Sequence, residues 1–345
     1  MAYAPNTMRW GCLDGKRAVL VEVGATNLLS RAITSIATGW TLNGASGSDL
    51  ALNALALFPG VAVTSNGAIW HRLVHADEPS VTNGASYHAS VFFKFGTSGK
   101  LMLTLRNNAN SGESRFTINS EAVVVVLGTG CGSLKNILLT PVGFDGVYRL
   151  DVNLVSNFTG TVSFGLGPGS AVIGESVVVL GAQFETGTVG TSFINTTGAS
   201  ATRAADLVTA PITADVSNGV RVRGTFRLDA VNGSYDRVFQ IGSDAGRMTL
   251  HWAAANGAFR VEHWADWVSQ GGVNVVGPEI GDTCQFDISF TPSGVVGVLA
   301  GVSFSFAGAG GYVTPTVVRL GSSGSGSNIP TILLCSEFIV TGVQA

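Results

Sequence analysis

The densest run of side chains able to do chemistry is His251-Trp252 followed by His263-Trp264-Ala265-Asp266-Trp267. Three of the six tryptophans lie between positions 252 and 267. On a strand, Trp264 is out of phase with the inward-pointing Phe259 and Val261, so its ring belongs to the wet face or the following loop. Exposed aromatic rings stack on the apolar faces of sugars, and a neighbouring carboxylate accepts hydrogen bonds from hydroxyls. Trp252, Trp264, Asp266 and Trp267 are therefore the candidate glycan-binding residues. The alternative is that the same rings pack in a core or against a neighbouring subunit, since interfaces are also rich in aromatics.

Other chemistry finds less support. No G-x-S-x-G elbow occurs, so no hydrolase serine is marked. Gly128-x-Gly130-x-Gly132 and Gly165-x-Gly167-x-Gly169 neither open a helix nor end in Gly-Lys-Ser/Thr, and they read as hairpin turns rather than phosphate cradles. His71 and His75 have helical metal-ligand spacing, but Ile69 to Val74 reads as a strand and no third ligand is marked. Asp77, Glu78, Asp145, Asp151, Asp282 and Asp287 offer no glycosidase pair that spacing alone can judge. Cys12, Cys131, Cys284 and Cys335 are scattered, without CxxC, and read as buried apolar residues. No catalytic residue, metal ligand or cofactor is assigned; calcium is not indicated by the sequence.

Composition bounds the class. Charged residues make up 12 % of 345, about half of the usual ~25 % share, while the hydrophobic fraction of 46 % is ordinary. The missing charge is replaced by Ser, Thr, Asn and Gly, which suits a surface covered by subunits or facing sugars. A net charge of −3 without a basic run gives no footprint for nucleic acid or an anionic membrane. No apolar run approaches the ~18 residues of a membrane helix, and the first residues lack the pattern of a secretion signal.

The elements that must position these residues are strands. Tyr148 to Leu154, Val220 to Leu228 and Cys284 to Phe290 alternate strictly between apolar and polar residues. Many further short strands follow, separated by turns such as Asn83-Gly84, Asn256-Gly257 and Ser293-Gly294. Only Asp49 to Phe58 leaves a short helix open. The expected fold is all-β: two antiparallel sandwiches of jelly-roll type and a short irregular N-terminal arm. The boundaries are 1–30 for the arm, 31–200 for the first sandwich and 201–345 for the second. The break near 200 rests on the small polar run Thr196 to Ala205.

Several segments resemble a family of phage and prophage virion proteins. Arg17 to Leu29 is similar to that family's opening, with Val23 in place of its usual glycine and Ala25 in place of its arginine. Trp40, Tyr87 to Lys94 and Gly143 to Arg149 follow at corresponding places. Leu180-Gly181-Ala182-Gln183-Phe184-Glu185-Thr186-Gly187, then Thr191 to Thr197, then Thr202-Arg203-Ala204-Ala205-Asp206 match the family's ending most fully. Gln183 and Glu185 would share one face of a strand, opposite Ala182 and Phe184.

The resemblance implies a jelly roll similar to carbohydrate-binding modules, followed by a concanavalin- or laminin-G-like sandwich. It further implies a non-enzymatic component of a virion, such as a head or tail fibre, a tail tip or a head decoration. The expected partners are other virion proteins, further copies of the chain in a homo-trimer, and a host cell-surface polysaccharide. A ligand-free decoration or connector protein is the second reading, and a polysaccharide depolymerase the third.

Overall fold

The computed structural model describes residues 9–50, 59–142, 146–231, 234–322 and 332–343. Among them there is no α-helix, only a helical turn at Ala254–Asn256, and every strand pairing is antiparallel. No described helix is long and apolar enough to cross a membrane. Among the described residues the chain divides into two compact units, one of residues 25–203 and the other of residues 9–24 together with residues 204–343. Each is a β-sandwich.

In the first unit, one sheet runs Val124–Thr129, Glu113–Asn119, Lys100–Asn107, Gly160–Pro168, Arg72–His75, Trp40–Asn43. The facing sheet runs Gly132–Pro141, Val147–Ser156, Ser86–Phe95, Ser176–Thr186, Ala25–Asn27, Ala201–Arg203. Inward residues of both, among them Trp40, Phe93, Leu103, Phe116, Phe164 and Phe184, form one buried cluster. Ala45–Leu50 is a strand paired with Gly60–Ser65, so the helix left open over 49–58 does not begin there; residues 51–58 lie outside the described residues.

Gly165 and Gly167 correct the expectation of a glycine turn, because both sit inside the strand Gly160–Pro168. A Cβ on Gly167 would come within 2.2 Å of the His71 carbonyl, so the glycine is required by the close pass of the neighbouring chain.

In the second unit, one sheet runs Arg9–Leu13, Lys16–Glu22, Ile332–Gly342, Val220–Ala230, Thr283–Thr291, Gly294–Leu299, Val302–Ala307. The other runs Val208–Pro211, Val317–Leu320, Tyr235–Gly242, Arg247–Ala253, Ala258–Ala265, Val268–Val275. The alternating stretches noted in the sequence lie side by side, with Val222 opposite Ile288 and Phe226 opposite Cys284. Their inward faces meet Phe239, Leu250, Phe259 and Val261 of the opposite sheet. Cys131, Cys284 and Cys335 are buried free thiols, and burial raises the Cys284 and Cys335 pKa values to about 11 and about 12.

The irregular arm expected over 1–30 is corrected. Arg9–Leu13 and Lys16–Glu22 form a hairpin through Asp14-Gly15, and the second strand pairs with Ile332–Gly342. Asp14 and Gly15 both have positive φ (49° and 77°), the geometry of a two-residue hairpin turn. The chain thus passes from the second sandwich to the first at Gly24–Ala25 and returns at Arg203–Ala204.

Candidate functional site

The candidate site lies on the sheet built from Tyr235–Gly242, Arg247–Ala253, Ala258–Ala265 and Val268–Val275. Alternation sends Met248, Leu250, Trp252, Phe259 and Val261 into the core. This corrects the expectation for Trp252. It is 9 % exposed, with its ring edge-on to Phe259 at 5.1 Å, and it offers no sugar-binding face.

Trp264 does point away from the core, and it is half-buried. The Arg247 guanidinium lies 4.2 Å from its ring centroid, and its Nε1–H approaches Glu262 Oε2 at 3.4 Å. Asp266 and Trp267 form the two-residue turn that closes this hairpin, between the paired Ala265 and Val268. Both have positive φ, 46° and 67°. Asn-Gly or Asp-Gly ordinarily fills such a turn, and a bulky residue at positive φ is costly by about 1 kcal/mol. Trp267 nevertheless stands there with 68 % of its surface exposed. Its N–H donates to the Ala245 carbonyl at 2.8 Å, tying this turn to its neighbour.

The same outward face carries residues that the sequence reading passed over. Cross-strand pairing sets Arg237 beside His251 and Gln240 beside Thr249, while Arg260 and Glu262 flank them from the next strand. Thr249, His251 and Gln240 are fully buried although they stand away from the core. Arg260 donates from Nε to Glu262 Oε1 (2.7 Å) and from Nη1 to Asn274 Oδ1 (3.0 Å). Burial and the charges of Arg237, Arg260 and Arg247 push the His251 pKa down to about 2, so this imidazole is neutral. Burial, with Arg247 nearby, lowers the Arg237 pKa to about 10 against the pull of Glu262, Asp244 and Asp236. Three arginines, a neutral histidine and an indole therefore form one continuous strip.

The first sandwich has a polar cluster of its own on an outward sheet face. Asp151 Oδ1 accepts from Ser90 Oγ (2.8 Å) and Arg149 Nε (3.0 Å) and contacts His88 Nε2 (2.8 Å). His88 Nδ1 contacts Asn153 Oδ1 at 2.5 Å. Burial alone would raise the Asp151 pKa, but the His88 hydrogen bond and the Arg149 charge more than offset it and hold it below the usual carboxylate range. A carboxylate so bound is no general acid at neutral pH.

The chain's own segment 190–194 lies over this cluster. Glu185 accepts from the Thr191 N–H (3.0 Å) and Oγ1 (2.7 Å), and Gln183 Oε1 accepts the Ile194 N–H at 2.6 Å. A Cβ on Gly190 would come within 2.4 Å of His88 Nε2, so only glycine lets the segment lie down. Ala182 and Phe184 point into the core, opposite Gln183 and Glu185 as the sequence indicated.

The two histidines at metal-ligand spacing are engaged otherwise. His75 Nε2 accepts the Arg31 N–H (3.2 Å) and Nδ1 meets the Asp77 carbonyl (3.1 Å), while His71 Nδ1 meets the Ala68 carbonyl (2.9 Å). Among the described residues, no group of three or more His, Cys, Asp or Glu is placed to hold a metal ion.

No family model and no curated protein matches the sequence. Solved structures with similar strand arrangement include CG-16, a homodimeric agglutinin from chicken liver, at 12 % identity over 39 % of this chain and 99 % of that one (TM-score 0.28). The LG1-3 region of the laminin α2 chain is 13 % identical over 76 % of this chain and 63 % of that one (TM-score 0.31). Domains LG4-5 of the mouse laminin α1 chain are 10 % identical over 90 % and 91 % (TM-score 0.28). These likenesses concern strand arrangement alone.

Proposed function

We propose that this chain is a non-enzymatic adhesion protein of a phage particle that holds host surface glycan on its second sandwich. The virion assignment rests on the motifs Leu180 to Gly187, Thr191 to Thr197 and Thr202 to Asp206. One observation carries the glycan reading. Trp267 stands two-thirds exposed on a turn whose backbone disfavours tryptophan, beside the outward-facing Trp264. A large apolar ring kept where the backbone opposes it marks a site serving something other than stability. Each aromatic stack contributes on the order of 1 kcal/mol, so single sites are weak and adhesion needs several copies. A homo-trimer supplies them. Val125, Leu127 and Leu138, exposed on the outermost strands of the first sandwich's sheets, suit contacts to other copies or virion proteins.

The test is Trp264→Ala with Trp267→Ala, read in a glycan-binding assay beside a particle-incorporation assay. Lost binding with normal incorporation is the expected result. Unchanged binding with failed incorporation refutes the platform and favours the ligand-free decoration reading, which the exposed apolar edges also fit.

A further inference from the structure

Arg237 is 6 % exposed, and neither its Nε nor its Nη1 has a hydrogen-bond partner. Around it, Arg247 Nε, Gln240 Oε1 and His251 Nε2 are likewise buried without partners. All four belong to the outward face of one sheet, through the pairings of Arg237 with His251 and of Gln240 with Thr249. Guanidinium nitrogens buried without a hydrogen bond are costly for a fold to keep. Glu262, Asp244 and Asp236 attract Arg237, and two of them also serve other groups. Glu262 serves Arg260 and Trp264, and Asp244 Oδ1 takes the Gln240 amide at 3.0 Å. Arg247 repels Arg237 and at the same time covers the Trp264 ring. The cationic strip and the aromatic platform therefore share a residue.

Resting on the glycan reading above, we infer that this face is specific for acidic glycans, a sugar carboxylate seating between Arg237 and Arg247 while Trp264 stacks on a ring. Guanidinium forks match carboxylate geometry in two parallel hydrogen bonds, and a desolvated pair of this kind is stronger than one in water.

The experiment measures binding of the full chain to oligomers of galacturonate, of glucuronate-containing hyaluronan and of sialate, each beside its carboxyl methyl ester. At least one acid is expected to bind tenfold or more tightly than its ester, with affinity falling as salt rises. Arg237→Met and Arg247→Met should each collapse that acid-to-ester ratio toward one. Arg237→Met should also raise the melting temperature of the unliganded protein, because it removes buried guanidinium nitrogens that have no hydrogen-bond partner. A purely structural arginine predicts the reverse, a lowered melting temperature with the ratio kept in Arg247→Met. Equal binding of acid and ester overturns the charge readout and leaves the glycan reading standing. Absence of binding to every acid and ester, with neutral glycans still held through Trp264 and Trp267, overturns the acidic specificity alone. If neutral glycans fail as well, both readings fall.

Discussion

Two outward sheet faces of this molecule carry arginine, histidine and carboxylate together, and they are built to opposite ends. On the first sandwich, Asp151, His88, Ser90 and Arg149 bond one another, and segment 190–194 is fastened over them through Glu185 and Gln183. On the second, Arg237, His251 and Gln240 are just as buried, yet they leave hydrogen-bonding atoms without partners. The difference teaches that polarity under cover is not itself a sign of function. What separates the two faces is the density of unsatisfied atoms: Gln183 Nε2 alone among the residues of the first cluster, against five on Arg237, Gln240, Arg247 and His251 in the second.

The sharpest break of the comparison comes from the closed cluster. Asp151→Ala removes the acceptor shared by Ser90, Arg149 and His88 and strands the arginine. The expected loss is about 3 kcal/mol of first-sandwich stability, read as a lower urea midpoint. A loss near zero would mean that this cluster is no more a keystone than the open strip.

Acid should then weaken the two sandwiches in sequence. His251 is neutral in the fold, with a pKa near 2 against 6.5 when unfolded, so the unfolded chain binds the extra proton below pH 6.5. Stability of the second sandwich is therefore full above pH 6.5 and falls as pH drops, by roughly 1.4 kcal/mol per pH unit for this group. Burial lowers the His263 pKa too, in the same sandwich, and the His75 pKa in the first. Asp151 acts oppositely in range. Its folded pKa is depressed, so its contribution persists down to its ordinary value of 3.8 and is lost only below that. Pulse proteolysis with fragment mapping at about pH 7.5 and pH 5 should show the second sandwich cut first; simultaneous cutting contradicts this.

The smallest effect sharpens the open face. Replacing Asp266-Trp267 by Asn-Gly suits the turn and should stabilise the second sandwich by about 1 kcal/mol while removing the exposed ring. A thermal melt of the double variant reads the gain, and an unchanged or lowered midpoint would mean the tryptophan is held by packing rather than against strain.

Much of this was legible in residue order. Period-two alternation set the strands Val220–Ala230 and Thr283–Thr291, the opposite faces of Gln183 and Phe184, and the outward stance of Trp264. Trp252 keeps the phase of Met248 and Leu250, and that alternation, not its nearness to other tryptophans, decides where its ring goes. The same alternation also aligns Arg247, Thr249 and His251 with Arg260, Glu262 and Trp264, a signal present and unused. Arg237 was not legible: the strand shifts register between Arg237 and Phe239, and such a bulge changes which face a residue takes. Asp14-Gly15 between RWGCL and KRAVLVE is a hairpin signal, but its partner strand is far along the chain, where local pattern is silent.

That distant partnership sets a timetable. Glu22 pairs with Ile332, and at ~5–20 residues per second a ribosome spends roughly 15–60 s between making the one and the other. Throughout that interval the first sandwich can be completed, its ends drawn together by Ala25–Asn27 pairing with Ala201–Arg203. The hairpin Arg9–Glu22 meanwhile waits with an unpaired edge, open to any passing strand. The second sandwich therefore closes last, and the time needed to synthesise the chain from Glu22 to Ile332 governs how long that edge stays exposed.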